Sequence, residues 1–314
     1  MENANRKKVS VIGIPLGYGA GHPGSELGPE AIRASRSRGR LLAEHICELE
    51  YDYEDLGNVA VTRPSRSANS DSRAKYLPEM TSTFNAVISA MVGVLEKDSF
   101  PVILGGDHSI AIGTFSGLAS YFRDKGEDIG LIWFDAHADI NTPETSPTGN
   151  IHGMPLSILL GEGPKELVQL AGFAPKLKPE FLAHVGGRDL DAGERLRVQE
   201  LGVRNNFFTM SDIDKRGMTV CVEEAIAIAG RASGGYAVTF DIDMIDPRFA
   251  PGSGTLVRGG ATYREAHLAL EIIAEQGGMR SFEIVEVNPL LDQSNITVEL
   301  ACELIMSALG KTIL

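Results

Sequence analysis

The sequence predicts an α/β protein with three α/β/α layers around a mostly parallel central sheet, and two observations carry that prediction. Six short β-rich runs are mostly apolar throughout instead of alternating, the pattern of strands covered on both faces. Helix-like segments alternate with them along the whole chain, which is the order of an α/β fold. Taken in order, a strand is expected over residues 9–14, and a helix over 29–42 that opens only after Gly28 and Pro29. A helix over 82–96 leads into a strand over 101–104, and a helix over 110–123 into a strand over 129–134. The strand expected at 181–185 is followed by a helix over 220–232, a strand over 236–241, a helix over 263–275, a strand over 281–287 and a helix over 296–309.

With 314 residues, 43% hydrophobic and 23% charged, the chain is long enough for a large core, and no Pro/Gly/Ser-rich linker divides it. One domain over residues 1–314 is therefore expected, with residues 62–75, polar and poor in apolar side chains, as a surface loop. The apolar run after the basic residues Arg6, Lys7 and Lys8 is too short for a signal segment, and no apolar stretch reaches spanning length. Cys47, Cys221 and Cys302 are widely spaced without a paired-ligand pattern, so reduced thiols in the cytoplasm are expected. A net charge of -13 argues against nucleic acid as a partner and suits a cationic small substrate, although acidity also serves solubility.

In α/β folds reactive residues gather beyond the carboxyl ends of strands. Three polar segments stand there. Gly105, Gly106, Asp107 and His108 follow one run, Asp135, His137 and Asp139 follow a second, and Asp241 and Asp243 close a third. Side chains two apart on an extended chain share a face, so each Asp-x-His-x-Asp or Asp-x-Asp set is expected to converge. Each alone is explicable as a turn or cap, but three together are not. His108, Asp135, His137, Asp139, Asp241 and Asp243 supply four carboxylates and two imidazoles, a set that two divalent cations would neutralise. Hard carboxylates with imidazole and no thiolate favour Mn²⁺ over structural Zn²⁺, and a water between two such ions would be acidified for hydrolysis. Gly19, Gly21 and Gly24 match a dinucleotide-binding pattern, but Pro23 and Pro29 delay the helix that would receive the pyrophosphate; the segment reads instead as a loop bordering an active site.

These motifs, with Asn141 after Asp139, Gly149-Asn150-Ile-His152-Gly and the segment around Glu286 and Asn288, closely resemble the ureohydrolase family, its arginases above all, over nearly the whole chain. The resemblance implies an arginase-like fold and hydrolysis of L-arginine to L-ornithine and urea by a hydroxide bridging two Mn²⁺ ions. It implies one ion on His108, Asp135, Asp139 and Asp241 and the other on Asp135, His137, Asp241 and Asp243. In the same scheme Asp139 orients the hydroxide, His152 shuttles protons to the departing amine, and Glu286 binds the guanidinium with Thr255 nearby. Glu283 competes with Glu286 for that role, but its odd spacing should turn it to the other side of the strand.

Asn141, Thr148 and Asn150 match positions that contact the α-carboxylate of arginine, and Asp191, with Glu194 in the same segment, matches the α-amino contact. Agmatine lacks the carboxylate, so these residues favour arginine over agmatine. The chain departs from the family pattern at Thr148, where serine is usual, at Leu256 after Thr255, and at Met244 and Ile245. The last two departures have the flavour of agmatinase relatives, and other guanidino or formimino substrates stay open, as does a metal-holding protein without catalysis. Arg264 and Glu265 match a segment used between subunits, implying a homotrimer or homohexamer, against the plainer reading of ion pairing within one helix.

Overall fold

A computed structural model describes residues 6–64 and 73–313. Eight strands are β1 (Lys8–Ile14), β2 (Asp52–Asn58), β3 (Ser99–Gly105), β4 (Gly130–Phe134), β5 (Leu182–Val185), β6 (Phe207–Phe208), β7 (Tyr236–Asp241) and β8 (Met279–Val285). They form one sheet in the order β2-β1-β3-β8-β7-β4-β5-β6, and every pairing is parallel. The helices are α1 (Gly28–Ala34), α2 (Leu42–Glu48), α3 (Leu77–Leu95), α4 (Ala111–Asp124), α5 (Pro155–Leu159), α6 (Lys165–Val168), α7 (Ala192–Glu200), α8 (Met210–Arg216), α9 (Met218–Ala229), α10 (Tyr263–Gln276) and α11 (Ile296–Ala308).

Alternate side chains along each strand enter different cores, which is why the strands read as unbroken apolar runs. Val9, Val11, Val102, Leu104, Ile132 and Phe134 pack with α9, α10 and α11 on one face. Ile12, Ile14, Ile103, Leu131 and Trp133 pack with α3 and α4 on the other. The three layers expected from the sequence follow from this division.

Four expectations need correction. The helix expected over 29–42 breaks into α1 and α2, because Ser35 is extended and Arg38 and Gly39 take positive φ. Strand β2 was not expected. Its acidic sequence carries no apolar run because it is an exposed edge that pairs only with β1, and charge there discourages pairing with another chain. The last strand ends at Val285, not 287, since Glu286 turns into a left-handed conformation at φ 60. Helix α3 starts five residues before the expected 82, where Pro78 fits the first turn. Of the expected loop at 62–75, residues 65–72 lie outside the described residues.

Candidate metal centre

His108, Asp135, His137, Asp139 and Asp243 stand beyond β3, β4 and β7, Asp241 is the last residue of β7, and Glu286 follows β8, four strands that are neighbours in the sheet. The chain leaves β3 through Gly105 and Gly106. A Cβ on Gly106 would lie 1.8 Å from the Leu16 carbonyl oxygen, so only glycine lets the loop after β1 approach. Asp107 then caps the short turn His108–Ile110, accepting from Ser109 N at 3.1 Å and Gly19 N at 2.8 Å. Asp241 caps the turn Ile242–Met244 by accepting from Asp243 N at 2.8 Å.

Convergence was expected from strand alternation, and the geometry is different. β4 ends at Phe134 and β7 at Asp241, so His137, Asp139 and Asp243 lie on bent chain. Asp139 reaches the cluster through a left-handed turn at φ 50. Carboxylates that accept hydrogen bonds from nearby backbone N–H groups build these turns: Asp135 Oδ1 accepts from His137 N at 2.7 Å.

The His108 Nδ1 atom lies 3.1 Å from Asp135 Oδ2, 3.3 Å from Asp139 Oδ2 and 3.2 Å from Asp241 Oδ2. The His137 Nδ1 atom lies 3.1 Å from Asp243 Oδ2 and 3.4 Å from Asp135 Oδ1. Two groups thus share Asp135: His108, Asp135 and Asp139, and Asp135, His137 and Asp243. Thr239 Oγ1 donates to Glu283 Oε1 at 2.8 Å, so toward His108 Nε2, 3.0 Å away, it is an acceptor. In the neutral ring that places the proton on Nε2 and turns the buried Nδ1, which makes no hydrogen bond, toward three carboxylate oxygens as a lone pair. Such an arrangement is repulsive unless a cation sits among them, and the donor set fits a hard divalent metal.

Electrostatics points the same way. Burial and the neighbouring Asp135 push the Asp139 carboxyl well above the usual range, and burial with Asp243 does so for Asp241. Burial opposes charge on His108, but Asp135 and Asp139 outweigh it and raise its pKa, and Asp243 and Asp135 do likewise for His137. For Asp135 burial is outweighed by His108 and His137, and its pKa falls well below the usual value. A set that must share protons among its carboxylates gains when a divalent cation replaces them.

Above the cluster opens a pocket of ≈ 210 Å³, with His137, Asp139 and Asp241 on its floor. Asn141, Thr148, Asn150, His152, Asp191, Glu194 and Thr255 line the same pocket, so the structure brings together nearly all the residues expected at the substrate. His108, Asp135 and Asp243 lie beneath it. Glu286 is also absent from the wall: its Oε1 accepts from His108 N at 3.0 Å and lies 3.3 Å from His152 Nδ1. Glu283 sits deeper still, bonded by Thr239, and does not reach the pocket. Burial pushes the Glu194 carboxyl up to about 7 against the hydrogen bond it accepts from Asp191 N.

The mouth is rich in donors. Asn141 Oδ1 is taken by Thr145 Oγ1 at 2.7 Å, and one N–H goes to Asp191 Oδ2 at 2.9 Å, leaving one N–H. Thr148 Oγ1 accepts from Asn150 N at 3.1 Å, leaving its O–H. Asp191 is also the cap of α7, exchanging bonds with Glu194 at 2.8 and 3.0 Å.

The model of the Arginase family matches residues 7–310. The chain belongs to the arginase family. It is 44% identical over 308 residues to an arginase of Bacillus subtilis, covering 98% of this chain and 99% of that one. The solved arginase of Bacillus caldovelox superposes with a TM-score of 0.91 at 42% identity, covering 98% of this chain and 100% of that one. The arginase of Entamoeba histolytica, solved in complex with L-ornithine, gives 0.85 at 28% identity over 98% of this chain and 99% of that one. This chain is accordingly a metal-dependent hydrolase of the arginase type, and the buried His/Asp cluster is its candidate metal site.

Several supporting residues escaped the sequence reading. Trp133 stacks on His108 with ring centroids 3.9 Å apart and donates to Asp135 Oδ2 at 2.9 Å. Arg188 donates to the carbonyls of Asp243 and Val257, each at 2.7 Å, and so ties two loops of the site together. His184 lies 2.6 Å from the His137 carbonyl oxygen, and burial pulls its imidazole pKa down to about 4, so it stays neutral. Asp189 joins the pocket wall. A usable signal existed: Trp133 and Thr239 each stand two residues before a ligand aspartate on a strand, where side chains share a face.

Proposed function

We propose that the protein hydrolyses L-arginine to L-ornithine and urea with two Mn²⁺ ions per chain. The reading is carried by one observation: a single pocket joins a carboxylate and imidazole floor to a mouth whose free groups on Asn141 and Thr148 are donors. A guanidinium suits the carboxylates outside the ligand set that line and flank the pocket, and a carboxylate, which only accepts, suits the free donors of Asn141 and Thr148.

His108, Asp135, Asp139 and Asp241 would hold one ion, and Asp135, His137, Asp241 and Asp243 the other. Bound there, the ions supply the Lewis acidity that brings the pKa of water into the neutral range. Asp139 accepts a hydrogen bond from the nucleophilic water and orients it toward the guanidinium carbon. The C–N bond to the δ-nitrogen then breaks, and His152 delivers the proton that lets ornithine leave as an amine. Glu286, behind the wall and bonded to His108 N and His152 through Oε1, would orient the guanidinium through its other oxygen, with Thr255 nearby; Thr255 Oγ1 donates to Asp243 Oδ2 at 2.9 Å. Asn141, Thr148 and Asn150 take the α-carboxylate, and Asp191 and Glu194 the α-amino group.

Residues 1–314 act as one domain, which the single sheet supports. Work in the cytoplasm is supported by three free cysteines, and no helix among the described residues is long and apolar enough to cross a membrane. Assembly as a homotrimer or homohexamer rests on the resemblance at Arg264 and Glu265. Within the chain those two side chains have partners of their own, Glu271 and Thr262.

Steady-state turnover of the Mn²⁺-loaded protein on L-arginine and agmatine, with urea as readout, tests the reading. A strong preference for L-arginine is expected. Preference for agmatine would keep the hydrolytic centre and overturn the assignments of Asn141, Thr148 and Asp191, and no urea from either substrate would overturn the function.

A further inference from the structure

The charged side chains in the pocket wall are Asp139, Asp189, Asp191, Glu194 and Asp241, with His137 and His152; no Lys or Arg is among them. Bound ions would offset Asp139 and Asp241, but Asp189, Asp191 and Glu194 remain, so a guanidinium enters readily while the carboxylate at the other end of an amino acid meets like charge. Behind the wall lies one cation placed to change this. Lys75 Nζ donates to Asn150 Oδ1 at 2.8 Å, and Lys75 N donates to Gly149 O at 3.0 Å, so backbone and side chain both tie Lys75 to the pocket loop. Its direction is set by the next residue: Tyr76 turns left-handed at φ 58 at the start of α3 and packs edge-on against Tyr18, ring centroids 5.4 Å apart.

An ammonium can only donate, so the end of the Asn150 amide that meets Lys75 must be the oxygen. The NH₂ end is therefore turned away from it, toward Gly21 in the glycine-rich loop. A Cβ on Gly21 would come 3.3 Å from Nδ2, so glycine leaves the space before that donor open. Asn150 without Lys75 could present either end of its amide to the pocket. With Lys75 on Oδ1, the end of this pocket-lining amide left free for a ligand is the NH₂, and a full positive charge stands one amide width behind it.

We infer that Lys75 is a positioning residue for substrate selection, locking the Asn150 amide in its donor orientation so that the pocket mouth favours substrates ending in a carboxylate. The inference rests on the proposed hydrolysis of L-arginine, and deepens it.

The test uses the Mn²⁺-loaded full chain and its K75M, K75Q and K75R variants. The quantities read are kcat and KM for L-arginine, and the Ki of agmatine as a competitive inhibitor that lacks the carboxylate. Both K75M, which keeps the apolar stem, and K75Q, which is polar but can also present an acceptor, should raise the KM for L-arginine by roughly tenfold, the scale of one charge-assisted hydrogen bond. In both, kcat should stay within about twofold and the agmatine Ki should not move, because the chemistry and the guanidinium site are untouched. K75R, with charge and donors intact, should restore most of the loss. An unchanged KM in both variants, or equal losses for arginine and agmatine, overturns the role of Lys75 while the functional reading stands. Absence of wild-type turnover on L-arginine overturns both.

Discussion

At the scale of single residues, the candidate metal centre is a set of side chains that cannot be stable as anions together. Asp135, Asp139, Asp241 and Asp243 lie within the same buried cluster, and Asp241 Oδ2 stands 3.2 Å from His108 Nδ1. In the proposed ligand sets Asp241 belongs to both ions. Asp241→Ala should therefore lose at least one ion and reduce urea production by several orders of magnitude, since removing a ligand disrupts both the metals and the water they acidify. Metal content of the purified variant, measured beside its turnover, checks this; two ions per chain retained would remove Asp241 from the centre. The ligand types were legible in the sequence because Asp-x-His-x-Asp and Asp-x-Asp follow buried strands. Their convergence was read for the wrong reason, since local turns and not strand alternation bring Asp139 and Asp243 inward. The pairings of Thr239 with His108 and Glu283, and of Lys75 with Asn150, were not legible, because each joins residues more than forty apart that only register or folding brings together.

At the scale of elements, the sequence marked the six inner strands and missed the two at the sheet edges, β2 and the two-residue β6. β2 has no apolar signature since it is an edge, and α2, α5, α6, α7 and α8 are too short for helical periodicity to stand out. Turns were similarly hidden: nothing in the composition of residues 29–42 announces that Ser35 leaves the helix. Glycines give a sharp test of how elements meet. Gly106 joins β3 to the metal loop under the Leu16 carbonyl, whereas Gly93 lies inside α3 with nothing within 4 Å of a would-be Cβ. The same substitution should then have opposite signs. Gly106→Ala should destabilise by about 3 kcal/mol or more, as overpacking against backbone has no flexible side chain to yield. Gly93→Ala should stabilise by roughly 0.5–1 kcal/mol through helix propensity. Denaturant unfolding of both variants decides the matter, and a neutral Gly106→Ala would contradict the close approach of the β1 and β3 loops.

At the scale of the whole molecule, the sheet order makes the site possible. β3, β8, β7 and β4 are adjacent in space although β8 is last in the chain, so loops far apart in sequence deliver His108, Glu286, Asp241 and Asp135 to one place. Helix α4 after β3 packs on one face of the sheet and α11 after β8 on the other, which opens the crevice between those two strand ends. Ions bound there would together tie three segments that separate on unfolding, and would relieve a concentration of negative charge in a chain already at -13. Metal that binds the folded chain and not the unfolded one must stabilise it by mass action, by about 4 kcal/mol when free metal exceeds its dissociation constant a thousandfold. Chelator-treated protein should thus melt below Mn²⁺-loaded protein, with the melting temperature rising as free Mn²⁺ is increased. Calorimetric scans over a Mn²⁺ series measure this directly. In Asp241→Ala the dependence should flatten, because the ligand shared by both ions is gone. A wild-type melting temperature indifferent to Mn²⁺ would mean that the buried cluster does not hold the ion in the folded state, and the hydrolytic reading would fall with it.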